Sequence, residues 1–189
     1  MKTQPHMNSA KLRTVHIVGL DHFLQNVQDG CLTEAGKKEE SQQKADLANF
    51  LRKIIKENGV ELIAEEGKLD RPCLGSVLAK ERNTGHIDIT MPIVEREKHG
   101  VKTPDYDKQE STRKAAYKLF EQYMFESVQA QPGRVILVMV GRRHLDGLRT
   151  LFASAECEVK AYDINDCGWY LGIPQEGAEG VVGHTREEG

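Results

Sequence analysis

Val135-Ile136-Leu137-Val138-Met139-Val140-Gly141-Arg142-Arg143-His144-Leu145 is the stretch from which the rest of the chain can be read. Its six consecutive apolar residues are too few to cross a bilayer. Their β-branched bias, and the glycine that stops them, predict a strand buried on both faces, as in a parallel sheet. The run then presents Gly141-x-x-His144. A second copy of this grammar lies near the N-terminus, in Val15-His16-Ile17-Val18-Gly19-Leu20-Asp21-His22. One Gly-x-x-His among 17 glycines and 7 histidines is a chance match, whereas two that directly follow apolar runs form a pattern.

The chain of 189 residues suits one domain, in which folding buries about 70% of the unfolded surface. Hydrophobic residues at 39% and charged residues at 29% match an ordinary globular protein. A net charge of -3 provides no basic excess for a nucleic-acid backbone, so no nucleic-acid partner is expected. The first 13 residues are polar and read as a flexible lead-in without a signal peptide. No apolar run approaches the roughly 18 residues of a membrane span, so a cytoplasmic protein with no membrane partner is expected. The four cysteines, Cys31, Cys73, Cys157 and Cys167, are scattered without Cys-x-x-Cys and read as reduced thiols.

Outward from the two motifs, the pattern alternates strand and helix. Residues 14–18 read as the first strand. Residues 19–43 read as a long polar loop, mobile enough to act as a flap. Leu47, Phe50, Leu51, Ile54 and Ile55 share one face of a helix over residues 43–57, which Asn58-Gly59 stops. A second strand over 60–64 closes on Glu65-Glu66, a short helix covers 74–82, and a third strand covers 86–90. After a polar passage, Ala116, Leu119, Phe120, Tyr123, Met124 and Val128 mark a helix within 107–130. The fourth strand is the opening stretch, followed by a helix over 145–155 and a fifth strand over 158–162. Residues 166–189, rich in glycine, read as an irregular tail.

Such alternation predicts one α/β domain over residues 14–165, with a mainly parallel sheet of about five strands and helices on both faces. The expected strand order is 3-2-1-4-5, with a ligand crevice at the carboxyl ends where connections diverge. In that arrangement His22, Glu65, Glu66 and His144 meet as candidate catalytic residues. Asp21, His86, Asp88, Arg142 and Arg143 stand near them as candidate ligand-binding residues. His16, inside the first strand, reads as a core histidine.

The paired Gly-x-x-His motifs, with Glu65-Glu66 between them, resemble the superfamily of TIKI/TraB proteins, erythromycin-esterase-like enzymes and ChaN-like haem-binding proteins. The resemblance spans about residues 14–162 and carries over His22, His144, Glu65 and Glu66. It implies an α/β core with its site at the carboxyl ends of the strands. It further implies metal-dependent peptide hydrolysis in the TIKI/TraB branch, a histidine base without metal in the esterase-like branch, and haem binding in the ChaN-like branch. The chain is too short for the helical insertions that cover substrate in the esterases.

The residue chemistry suits hydrolysis of an ester or amide bond in a small molecule or peptide. His22, Glu65 and His144 could hold a divalent metal (Mn, Zn or Co) with a position open to water. Without metal, His22 could take the proton from water while Arg142 or Arg143 steadies the oxyanion. The absence of Gly-x-Ser-x-Gly argues against a serine hydrolase, and the absence of phosphate-binding glycine loops against a nucleotide enzyme. Non-catalytic binding of an anionic ligand or a tetrapyrrole is the alternative. If placed for chemistry, His22 and His144 should contribute little to folding and His16 more.

Overall fold

The computed structural model describes residues 12–25, 34–67, 72–101 and 110–172. In chain order the elements are β1 (Thr14–Leu20), α1 (His22–Gln25), α2 (Glu34–Asn58), β2 (Leu62–Glu65), α3 (Leu74–Arg82), β3 (Gly85–Asp88), α4 (Ile93–Lys98), α5 (Glu110–Gln129), β4 (Val135–Gly141), α6 (Leu145–Ser154) and β5 (Glu158–Asp163). Single 3-10 turns occupy Arg142–His144 and Ile164–Asp166. The five strands form one parallel sheet, as the alternating pattern predicts. Among the described residues no helix is long and apolar enough to cross a membrane.

The strand order is 3-2-4-1-5, which corrects the expected 3-2-1-4-5. β1 and β4 are parallel neighbours in both, but β4 sits between β1 and β2, and the other edge of β1 pairs with β5. Both runs are apolar enough for an interior position, so composition alone does not rank them. The central pair is buried along almost its whole length, with Val15 to Leu20 and Ile136 to Gly141 all enclosed.

Each face of the sheet is covered by its own helices. Leu47, Leu51, Ile54 and Ile55 of α2 and Leu78 and Ala79 of α3 pack on Val18, Leu20, Ile63, Leu137 and Met139. Ala116, Phe120, Met124 and Val128 of α5 and Leu148 and Phe152 of α6 pack on Val15, Ile17, Leu62, Ala64, Ile136 and Val138. The alternation of strand side chains between the two clusters is the period of two expected for a pleated sheet. Each fully buried Leu, Ile or Phe contributes about 1.5–3 kcal/mol by leaving water. Gly59, at φ +63°, ends α2 in the left-handed conformation that the Asn58-Gly59 stop signal predicts.

The expected loop over 19–43 is corrected wherever it is described. Gly19 and Leu20 finish β1, residues 22–25 form α1, and α2 begins at Glu34. The first turns of α2 escaped the apolar pattern because polar groups face inward there. Glu40 and Gln43 are both buried. Lys44 Nζ lies 2.7 Å from Glu40, and the Gln43 amide bonds Leu171 N–H and Gly172 O at 3.3 and 3.2 Å. The remainder of the expected flap, residues 26–33, lies outside the described residues. A short helix, α4, occupies part of the passage read as polar loop, and its Arg96 guanidinium lies 4.8 Å from the centre of the Phe120 ring.

The lead-in is described only at residues 12 and 13, where Arg13 donates to Gly133 O, Gln131 O and Gln129 Oε1 at 3.0, 2.7 and 2.8 Å. The tail is described to residue 172, where Trp169 and Tyr170 pack against the α2 side of the sheet.

Candidate functional site

Register sets the site. Leu20 pairs with Gly141 across β1 and β4, while Glu65 pairs with Met139 of β4 and Asp88 of β3. The carboxyl ends of four strands are therefore nearly level. Beyond β1 and β2 the chain turns to the α2 and α3 face, and beyond β4 it turns to the α6 face. The edge where connections diverge is the usual ligand position in open α/β sheets.

Glu65 and Glu66 are adjacent in sequence and reach opposite faces, because successive strand side chains alternate. Glu65 is fully buried. Its Oε2 lies 3.3 Å from His86 Nε2, and its Oε1 lies 3.5 Å from the Gln25 amide nitrogen. The carboxylate rests on the first turn of α3 at Gly75, where an added Cβ would collide with it. The amide dipoles of that turn favour a negative group. Cys73, the residue before α3, stands beside it, and burial together with the Glu65 carboxylate pushes its thiol pKa up to about 11.

Glu66 faces β4 and α5. Its Oε2 accepts the Gly141 N–H at 2.8 Å, and its Oε1 lies 3.7 Å from His144 Nε2. On the other side of the ring, His144 Nδ1 lies 3.2 Å from Glu121 Oε1, so Nδ1 carries the hydrogen toward that carboxylate. The His144 imidazole, 7% exposed, is thus held between two carboxylates, with Tyr117 and Phe120 packed edge-on against it. Glu121 in turn lies against Gly147 of α6, at a distance that leaves no room for a Cβ.

His22 is exposed at the start of α1. Its Nδ1 lies 2.7 Å from Gln25 Oε1, and Gln25 Nε2 donates to the Glu66 carbonyl at 2.8 Å. A carbonyl only accepts, so the Gln25 amide nitrogen must face it and its oxygen must face His22. His22 therefore carries its hydrogen on Nδ1 and keeps a free lone pair on Nε2. That nitrogen lies beside Gly141, 2.7 Å from where a Cβ would stand, and Glu66 Oε2 is 3.4 Å from the same point. The two Gly-x-x-His histidines thus converge on Glu66 and Gly141.

The other expected residues lie elsewhere along the strand ends and in the core. Asp21 accepts a short hydrogen bond from the Tyr170 hydroxyl, and burial together with that bond raises the tyrosine pKa. Arg142 is half-buried, and among the described residues its guanidinium forms no hydrogen bond or ion pair. Arg143 is exposed and donates to the Tyr117 hydroxyl at 2.9 Å. Asp88, at the exposed end of β3, caps the Thr90 N–H at 2.7 Å. His16 is buried in the core, stacked on Tyr162, with Nδ1 3.2 Å from the Tyr162 hydroxyl.

The metal set expected from the sequence was His22, Glu65 and His144. Among the described residues, the ligand atoms that come together, within 4.8 Å of one another, belong to Glu65, Cys73 and His86, a group that could hold a metal ion. Gln25 and Glu121 were absent from the sequence reading, and Cys73 figured there as a reduced thiol and not as a ligand. Glu121 had a legible signal, since it falls between Tyr117 and Met124 on the apolar stripe of α5, where a carboxylate needs a partner. Cys73, Cys157 and Cys167 are free thiols, and Cys31 lies outside the described residues.

No protein-family model, no curated protein and no solved structure matches the chain.

Proposed function

We propose that the chain is a hydrolase of an ester or amide bond, with His22 as the general base. The observation that carries this reading is the locked tautomer of an exposed imidazole. Gln25 fixes the hydrogen on Nδ1, and Nε2 is left free at the crevice beside Gly141. In the step, His22 Nε2 takes a proton from water as the water oxygen bonds to the carbonyl carbon. The tetrahedral oxyanion then collapses, the carbon–oxygen or carbon–nitrogen bond breaks, and the proton passes from His22 to the leaving group. In this reading Arg142, whose side chain has no acid partner among the described residues, steadies the oxyanion. The Glu66–His144–Glu121 chain is a positioning network that holds the Gly141 backbone against which His22 lies. The reading agrees with the hydrolytic branches of the superfamily that the motifs resemble.

The test is turnover of a panel of p-nitrophenyl esters and fluorogenic peptides. The wild type should turn over at least one class, and His22→Gln should lower kcat/KM by about 100-fold or more. Gly141→Ala should do the same without unfolding, since φ -55° and ψ 134° suit alanine while the new Cβ displaces the His22 ring. No turnover by the wild type, or full activity in His22→Gln, would overturn the reading. Arg142, whose side chain is without an acid partner among the described residues, also favours a second reading, a module that binds an anionic ligand. Saturable binding of a carboxylate or phosphate ester that is never cleaved would select it.

A further inference from the structure

We propose that Glu65, Cys73 and His86 form a zinc site with one coordination position open to water. Three separate segments bring the ligands together: the end of β2, the residue before α3, and β3. Ile63 pairs with His86 across β2 and β3, so the His86 side chain lies on the same sheet face as Ile63 and Glu65. The result is the 3.3 Å approach of His86 Nε2 to Glu65 Oε2, with Cys73 Sγ within 4.8 Å of both ligand atoms.

Two glycines make room for this group. A Cβ at Gly75 would overlap the Glu65 carboxylate, and one at Gly67 would stand 3.2 Å from Cys73 Sγ. The loop that carries Gly67 is pinned to the end of β3 by Thr90, whose hydroxyl accepts from Gly67 N–H at 2.9 Å and donates to Gly67 O at 2.8 Å. The Gln25 amide reaches Glu65 Oε1 from outside the group, in the position of an outer-shell partner.

Charge explains why a cation belongs there. Glu65 is completely buried, and among the described residues its carboxylate is met by an amide, an imidazole, the Cys73 thiol and a helix terminus. A carboxylate withdrawn from water without a full counter-charge costs several kcal/mol. A divalent cation removes that cost. Cys73 and His86 are only partly buried, so an ion can enter from solvent. The choice of zinc follows from the donor set. Thiolate, imidazole and carboxylate together suit Zn2+, whereas Mg2+, Ca2+ and Mn2+ prefer all-oxygen sites. Three protein ligands leave the fourth tetrahedral position to water, the arrangement of reactive rather than purely structural zinc sites.

The site is tested without turnover. Zn2+ is titrated against a competing chelator, and Co2+ is added as the spectroscopic probe. The wild type should bind one equivalent of Co2+ with a thiolate-to-cobalt charge-transfer band. The variant Cys31→Ser, Cys157→Ser, Cys167→Ser, in which Cys73 is the remaining thiol, should keep that band. Cys73→Ser should lose it. Cys73→Ser and His86→Gln should each weaken Zn2+ binding by more than about 100-fold, beyond the loss typical of an outer-shell partner. His86 lies on an edge strand with its side chain 23% exposed, so its substitution leaves the fold intact if Cys73→Ser does not. A cobalt complex without the thiolate band, or equal Zn2+ affinity in His86→Gln, overturns the site. A zinc-loaded protein without turnover sinks the hydrolase reading and leaves this one standing. Turnover without any cobalt band does the reverse.

Discussion

Replacing Gly147 by alanine should destabilise the protein, although the general rule for helices points the other way. Gly147 is the third residue of α6, and alanine in a helix is favoured over glycine by about 0.5–1 kcal/mol. Here the new Cβ would occupy the place of the Glu121 carboxylate. Glu121 is only 9% exposed, so it cannot step aside into water without leaving His144. Loss of that charged hydrogen bond costs about 1.5–3 kcal/mol. The net is a loss of about 1–2 kcal/mol, or a fall in Tm of about 2–8 °C for a domain of this size. The assay is urea unfolding with a thermal melt, on Gly147→Ala alone and on a Glu121→Ala background. With the carboxylate gone, Gly147→Ala should recover its positive sign and stabilise by about 0.5–1 kcal/mol. A single Gly147→Ala variant as stable as the wild type, or more so, would falsify the tight Glu121–Gly147 packing from which the sign is worked.

The histidines should separate by burial rather than by motif. His144→Ala strands Glu121 and Glu66 and should cost about 1–3 kcal/mol, whereas His22→Ala, at an exposed ring, should cost no more than about 1 kcal/mol. Equal losses in chemical denaturation would refute the assigned burial of His144. His16 should make stability depend on pH. Burial, aided by Lys160 and opposed by Glu158, lowers its pKa below 6.5 in the folded state, so the unfolded chain binds the proton more tightly. Its contribution is complete above pH 6.5 and is lost as the pH falls from there toward the folded value. Unfolding free energies measured between pH 7.5 and pH 5 should decline more steeply for the wild type than for His16→Phe; parallel profiles would remove His16 as the cause.

Much of the frame follows from local pattern. Period-two and apolar runs marked all five strands, and helical spacing marked α3 at its observed ends and α2, α5 and α6 within a few residues in their apolar parts. These signals are legible because burial on a sheet or helix face imposes its own period on the residues that form it. The approach of His22, Glu66 and His144 to one edge was likewise legible, since Gly-x-x-His follows two strands that prove to be neighbours.

What only the tertiary structure decided has no such period. The place of β4 between β1 and β2 depends on which edges of two buried strands pair, and a run buried on both faces reads as interior in either order. The inward turn of Glu40 and Gln43 hid the first turns of α2, because polar burial is satisfied by distant partners and leaves no apolar stripe. Glu65 and Glu66 were both expected at one site with His22 and His144. The pleat sends them apart, one to His86 and Cys73 and the other to His144. Cys73 and His86 join Glu65 from separate segments with no fixed spacing. A ligand set assembled across three elements is written in strand register and loop path, and only folding brings it together.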